Sequence, residues 1–193
     1  MSTAGRIRWV RFALALGGGV AGLGVMLGGV ASGTVAASFS VSGTAYKATA
    51  SRMVADGVVQ YGAQDDAAGT PRPVVVNGFK QATMDDFCQS ILVPLPMGEA
   101  TIKITAPGGM SAENLVLGLD WAAGDLTMTN ADLGVDAGEL TKGPSIGEPG
   151  TFGVQADRVE FDNLRQVAWT TTASTLRLNE VRIEALAGRK ECF

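Results

Sequence analysis

The sequence predicts an all-β domain behind an N-terminal apolar segment. Beyond Ala37 the apolar residues recur with period two far more often than 3.6. The runs are short and punctuated by Gly, Asn and Asp, and no stretch long enough for three helical turns shows an amphipathic pattern.

The elements follow in order. Phe39 and Val41, then Ala45 and Lys47, alternate with small polar residues, and Thr101-Ile102-Lys103-Ile104-Thr105 alternates cleanly. Leu115, Leu117 and Leu119 share one parity, followed by Leu126 and Met128, then Leu133 and Val135. Val159 and Phe161, Val167 and Trp169, Leu176 and Leu178, and Val181 and Ile183 continue the series. Breaks at about 8 to 12 residues suit a sandwich, barrel or solenoid. We read one elongated β-sandwich or β-solenoid-like domain. Ala50–Gly57 resembles Ala156–Asn163, and Leu126–Leu133 echoes Leu176–Ile183. Stacked strand–corner–strand units would explain this likeness, as would an ordinary β-meander with similar turns.

The first 37 residues have a different character. Arg6, Arg8 and Arg11 precede an uncharged run from Phe12 to Ala37, the pattern of a secretory signal. Val35-Ala36-Ala37 supplies small residues for cleavage after Ala37. The run exceeds the roughly 20 residues that span a bilayer, so an uncleaved anchor, touching the membrane through residues 12–37, is the alternative. Gly18/Gly22, Gly24/Gly28 and Gly29/Gly33 have small-xxx-small spacing, which suits close helix approach but also a weakly hydrophobic signal. Either way, residues 38–193 are expected outside the cytoplasmic membrane.

Charge and composition exclude several functions. The chain of 193 residues holds no histidine, which removes the Ser-His-Asp triad, Cys-His proteases and histidine zinc sites. Without the three leader arginines, 12 basic residues face 19 acidic ones, a formal charge of −7 that argues against nucleic acid. Cys88 and Cys192, an even pair in an oxidising compartment, are read as a disulfide, with two buried free thiols as the alternative. The segments Gln64–Pro73 and Lys142–Gly153, rich in Gly and Pro, are read as exposed loops.

Candidate chemistry is sparse. Gly143-Pro144-Ser145-Ile146-Gly147 fits a nucleophile elbow, but that motif needs a strand-to-helix turn and a base. Pro149 and Gly150 follow instead of a helix, and the match is read as fortuitous; a Ser-Lys dyad with Lys142 is formally open, but nothing around it suggests a buried, deprotonated lysine. Asp65/Asp66 and Asp85/Asp86 are the paired carboxylates, read as solvated loop acids rather than a calcium or glycosidase site. No dinucleotide glycine motif, phosphate loop or Cys-x-x-Cys is present, so no cofactor and no metal is expected. Trp121, Trp169, Phe161, Phe87 and Tyr61 are the larger aromatics, either core or the lining of a groove for an apolar ligand.

Several segments carry a family resemblance. These are Phe39-Ser40-Val41-Ser42-Gly43, Val59-Gln60-Tyr61-Gly62, Cys88-Gln89-Ser90, Gly134-Val135-Asp136-Ala137, Gln155-Ala156-Asp157, the run from Arg165 to Ala173, and Cys192-Phe193. With the leader, they resemble a family of uncharacterised exported proteins from Streptomyces-type actinobacteria, many labelled "cholesterol esterase". The resemblance transfers no catalytic residue. The expectation is therefore a non-enzymatic envelope protein that binds a lipid, another apolar small molecule or a membrane protein partner. A lipid-ester hydrolase using Ser145 and a structural subunit of a membrane assembly are the alternatives.

Overall fold

The computed structural model describes residues 38–39, 44–66 and 71–193. The expected leader, its cleavage point after Ala37 and the strand position at Val41 lie outside the described residues. In chain order the strands are β1 (Ser38–Phe39), β2 (Tyr46–Asp65), β3 (Arg72–Asp85), β4 (Phe87–Leu95), β5 (Gly98–Ala106), β6 (Met110–Thr129) and β7 (Asp132–Asp136). A single 3-10 turn (Ala137–Glu139) precedes β8 (Phe152–Thr172), β9 (Thr175–Leu178) and β10 (Arg182–Ala187). The all-β reading holds: the strands form one sheet, antiparallel at every pairing.

The sheet closes on itself. Strand β2 pairs β3 along one edge and β8 along the other, β3 pairs β6, and β6 pairs β8. The circuit β2–β3–β6–β8–β2 is thus a ring, the barrel option among the arrangements that the strand spacing allows. Its stagger is large. Val59 pairs Gly78, Gly78 pairs Val116, Val116 pairs Thr172, and Thr172 pairs Ser38, far upstream of the starting point. Stagger of this kind tilts strands steeply against the axis they enclose, which widens a ring built from few strands.

Three strands are far longer than the expected spacing: β2 and β6 have 20 residues each and β8 has 21. The corners taken from sequence as strand ends are bends within strands. Gly57 in β2 has φ +65, Asn114 in β6 has φ +48 and Asn163 in β8 has φ +55. Glycine and asparagine enter this left-handed region at little cost, so the ladder bends without ending. At Gly57 the inward-facing set steps from Ala55 to Val58, while the paired residues step from Ala82 to Phe79 and from Val159 to Ala156. A Cβ at Gly57 would lie 2.7 Å from Lys80 Cδ and 2.9 Å from the Lys142 carbonyl oxygen, so the bend also needs the missing side chain.

Asp86 (φ +51) joins β3 to β4 without breaking their register on β2: Arg52 pairs Asp85 and Thr49 pairs Cys88. The Ala50–Gly57 and Ala156–Asn163 segments pair with each other, Ala55 against Val159 and Asp56 against Arg158, as two ring strands rather than stacked units. The second repeat is a true conformational echo, with Asn130 (φ +51) and Glu180 (φ +55) at the same place in two tight turns.

The first expected loop is narrower than its bounds, and the second is an irregular segment as expected. Gln64 pairs Pro73 and Asp65 pairs Arg72, so the β2–β3 ladder runs into the first. The second folds back over the outer face of β2 and β3 as a strap. Asp136 accepts hydrogen bonds from Gly138 N and Gly150 N and so clamps both ends of it. Val59, Ala137 and Leu140 form a small second core beneath the strap, with Tyr61 and Val135 packed on it.

The C-terminal residues return to the sheet. Cys192 is disulfide-bonded to Cys88 on β4. Thr101 Oγ1 donates to the Gly188 carbonyl and accepts from Lys190 N, and Ser90 Oγ accepts from Cys192 N.

Candidate functional site

Barrel interiors are filled when inward side chains are large enough to meet across the axis. Here many are alanine: Ala48, Ala50, Ala55, Ala82, Ala112 and Ala156 are all buried. The space left over collects into two cavities. The first, of about 420 Å³, is bordered by Met53, Val58, Phe79, Leu119, Val159 and Phe161, with Gln60, Asn77 and Asp120 as polar members. The second, of about 310 Å³, is bordered by Met84, Phe87, Ile91, Leu115, Leu117 and Leu178. Both volumes fall in the range of roughly 300–1,000 Å³ typical of small-molecule sites. Leu176 and Ile183 border the second cavity while remaining 42% and 68% exposed, which marks its mouth between β9 and β10.

No charged side chain lines the second cavity among the described residues. Its titratable group, Tyr46, is uncharged at neutral pH. Burial pushes the phenol up to about 12, against a hydrogen bond with the Thr171 hydroxyl that pulls the other way.

The buried polar residues among those described are Ser90, Thr101 and Gln166. The C-terminal segment satisfies Ser90 and Thr101. Gln166, only 4% exposed, makes no side-chain hydrogen bond among the described residues, and it borders both cavities. It pairs Ala48 on one side and Ala122 on the other, and Ala48 in turn pairs Gln89, which also borders the second cavity. Small side chains therefore flank the amide across the sheet and leave it open to whatever occupies the interior.

Four of the five aromatics proposed as lining border these cavities. Trp121 and Phe161 border the first, while Phe87 and Trp169 border the second. The Trp121 indole also meets the Phe193 ring edge-on, and the Arg72 guanidinium stacks 3.8 Å from the centre of Trp169. Tyr61 lies elsewhere, under the strap. Sequence reasoning missed Gln166, Gln89 and Tyr46. The signal for Gln166 was its parity, since Leu164, Gln166 and Ala168 are alternate positions of one strand and all are buried.

The Gly143–Gly147 segment is irregular strap, with no helix after Ser145. Ser145 Oγ is buried against Gly78 on the outer side of the ring and has no hydrogen-bond partner among the described residues. Lys142 Nζ lies 3.0 Å from Asp157 and 3.3 Å from Asp132 and donates to the Asn130 carbonyl. These partners raise its pKa, the Asp157 hydrogen bond most of all, which makes it a poor base for Ser145.

The paired acids are dispersed. Asp65 pairs with Arg72 at 3.5 Å, and Asp86 accepts a hydrogen bond from the Ser51 hydroxyl. Among the described residues no three of Cys, Asp or Glu gather to hold a metal. No helix among them is long and apolar enough to cross a membrane.

A model of a family of unknown function (DUF6230) matches residues 42–193. The chain belongs to that family. The match takes in the whole ring, the strap, both cysteines and both cavities. No curated protein and no solved structure matches the chain.

Proposed function

We propose that this member of the family is a non-enzymatic binding protein for an apolar ligand, held in the interior of the sheet and acting outside the cytoplasm. The observation that carries this reading is the second cavity, an apolar chamber with uncharged walls and a mouth at Leu176 and Ile183. Filling it with an apolar chain would recover the dispersion contacts and dehydration that the alanine-rich interior leaves unused. The Cys88–Cys192 pair supports an oxidising compartment.

Native mass spectrometry of the exported protein, before and after solvent extraction, tests the reading. A co-purifying lipid, or uptake of lipid by the stripped protein, is the expected result. A protein that emerges empty and takes up none would count against it. The hydrolase alternative predicts turnover of a p-nitrophenyl or sterol ester that Ser145→Ala abolishes. With Ser145 on the far side of the β2–β3 wall and Lys142 tied to two carboxylates, we expect no turnover by the wild type.

A further inference from the structure

We infer that the ligand carries one uncharged hydrogen-bonding group between two apolar arms, as a neutral lipid ester does, and that the Gln166 amide holds that group. This rests on the cavity reading above and adds the chemistry of what fills it.

The argument is one of satisfaction. A buried amide without a partner costs free energy, and native proteins rarely leave one so. The other two buried polar residues are matched by the returning C-terminal segment; the Gln166 side chain is not, and its amide atoms are not sealed in the wall as the unpartnered Ser145 Oγ is. Gln166 borders both cavities, so on this inference the polar group sits in the middle of the ligand, with one arm in each. Ala48 and Ala122 on either side keep the amide reachable, and Gln89 beyond Ala48 offers a second amide to the same chamber.

The lack of a cation among the described lining residues selects among lipids. An ionised carboxylate or phosphate placed at Gln166 would be desolvated, and no cation lines either cavity among the described residues. A pure hydrocarbon would fill the space but leave the amide unpaired. An ester carbonyl accepts from the glutamine N–H and presents an apolar arm to each side.

The test is displacement of N-phenyl-1-naphthylamine from delipidated, disulfide-intact protein by three compounds of sixteen carbons: hexyl decanoate, hexadecane and hexadecanoate. The ester is expected to displace the probe at a concentration about tenfold lower than the alkane, the worth of one net hydrogen bond. Gln166→Leu should erase that preference and leave alkane binding intact. Equal displacement by ester and alkane, tighter binding of the fatty acid, or an ester preference retained in Gln166→Leu would overturn the inference while leaving the cavity reading standing. Failure of all three compounds would overturn both. A readout on the unmodified protein guards against a misfolded variant. The infrared carbonyl band of bound, carbon-13-labelled hexyl decanoate should shift to lower frequency than in hexane, and an unshifted band would refute the hydrogen bond.

Discussion

The ring of Phe193 meets the indole of Trp121 edge-on, with 5.7 Å between centroids, one residue beyond the disulfide that fixes Cys192 to Cys88. Lys47 completes the cluster. Its ammonium lies 5.1 Å from the Phe193 ring centre, donates to the Phe193 carbonyl and pairs with Glu191 at 3.2 Å. The C-terminal residues thus join β2, β4 and β6 at one point.

Loss of the disulfide should therefore be felt both as stability and as a local spectroscopic change. The bridge spans 104 positions, and the chain-entropy model assigns a loop of that length about 4–5 kcal/mol. Cys88→Ser with Cys192→Ser should lower the denaturation midpoint accordingly and alter tryptophan emission as Phe193 leaves Trp121. Thiol labelling of the unfolded, unreduced wild type should find no free cysteine; two labelled thiols would contradict the bridge.

The strap is expected to tolerate no side chain at Gly143. A Cβ there would lie 2.6 Å from Val59 Cγ1 and 2.9 Å from Val59 Cβ, and Val59 is fully buried and β-branched, with no room to turn aside. Gly143→Ala should cost about 1–3 kcal/mol and expose residues 140–151 to protease. Gly62→Ala, where a Cβ meets nothing within 4 Å, is the control and should change stability by no more than about 0.5 kcal/mol.

Tyr46 gives the protein an alkaline limit. Its folded pKa is raised from 10.0 to about 12, so its contribution is complete below pH 10 and is lost as the pH rises toward 12. Thermal melts between pH 9 and 12 should show that decline. Tyr46→Phe should flatten it, at the cost of the bond to Thr171, about 1 kcal/mol.

An acid limit is expected from the opposite sign. Hydrogen bonds from Asn130, then Lys142, hold Asp157 below its ordinary value, and the Arg158 hydrogen bond does the same for Glu160. Their contribution is present above the ordinary carboxylate range near pH 4 and disappears as the pH falls through the lowered values. These groups face solvent, so 1 M salt should blunt the acid dependence, and Asp157→Asn should remove part of it. Melts from pH 6 to 2 at two salt concentrations would check both.

The sequence carried the strand content well because parity survives whatever the strands pair with: Leu115, Leu117 and Leu119 face inward as their alternation requires. Strand length was hidden because Gly57, Asn114 and Asn163 are good turn residues and here bend continuous strands. Closure was hidden as well, since nothing local records that Ala55 meets Ala82 on one side and Val159 on the other. Four of the five aromatics border a cavity, whereas Tyr61 sits on the opposite parity from Val58 and Gln60 and went under the strap. The glutamines escaped notice because a polar residue in an alternating strand is ordinarily read as solvent-facing.

The pairing of β2 with β8 has a consequence for biogenesis. As the chain is made, β2 finds its β3 partner at once, yet its other margin stays bare until residues 153–168 arrive to cover it. Joining two segments so far apart in sequence is slow, on the scale of milliseconds to seconds for β topologies of this kind. Throughout that wait the nascent chain exposes an uncapped hydrogen-bonding edge, the feature through which unpaired strands join other chains.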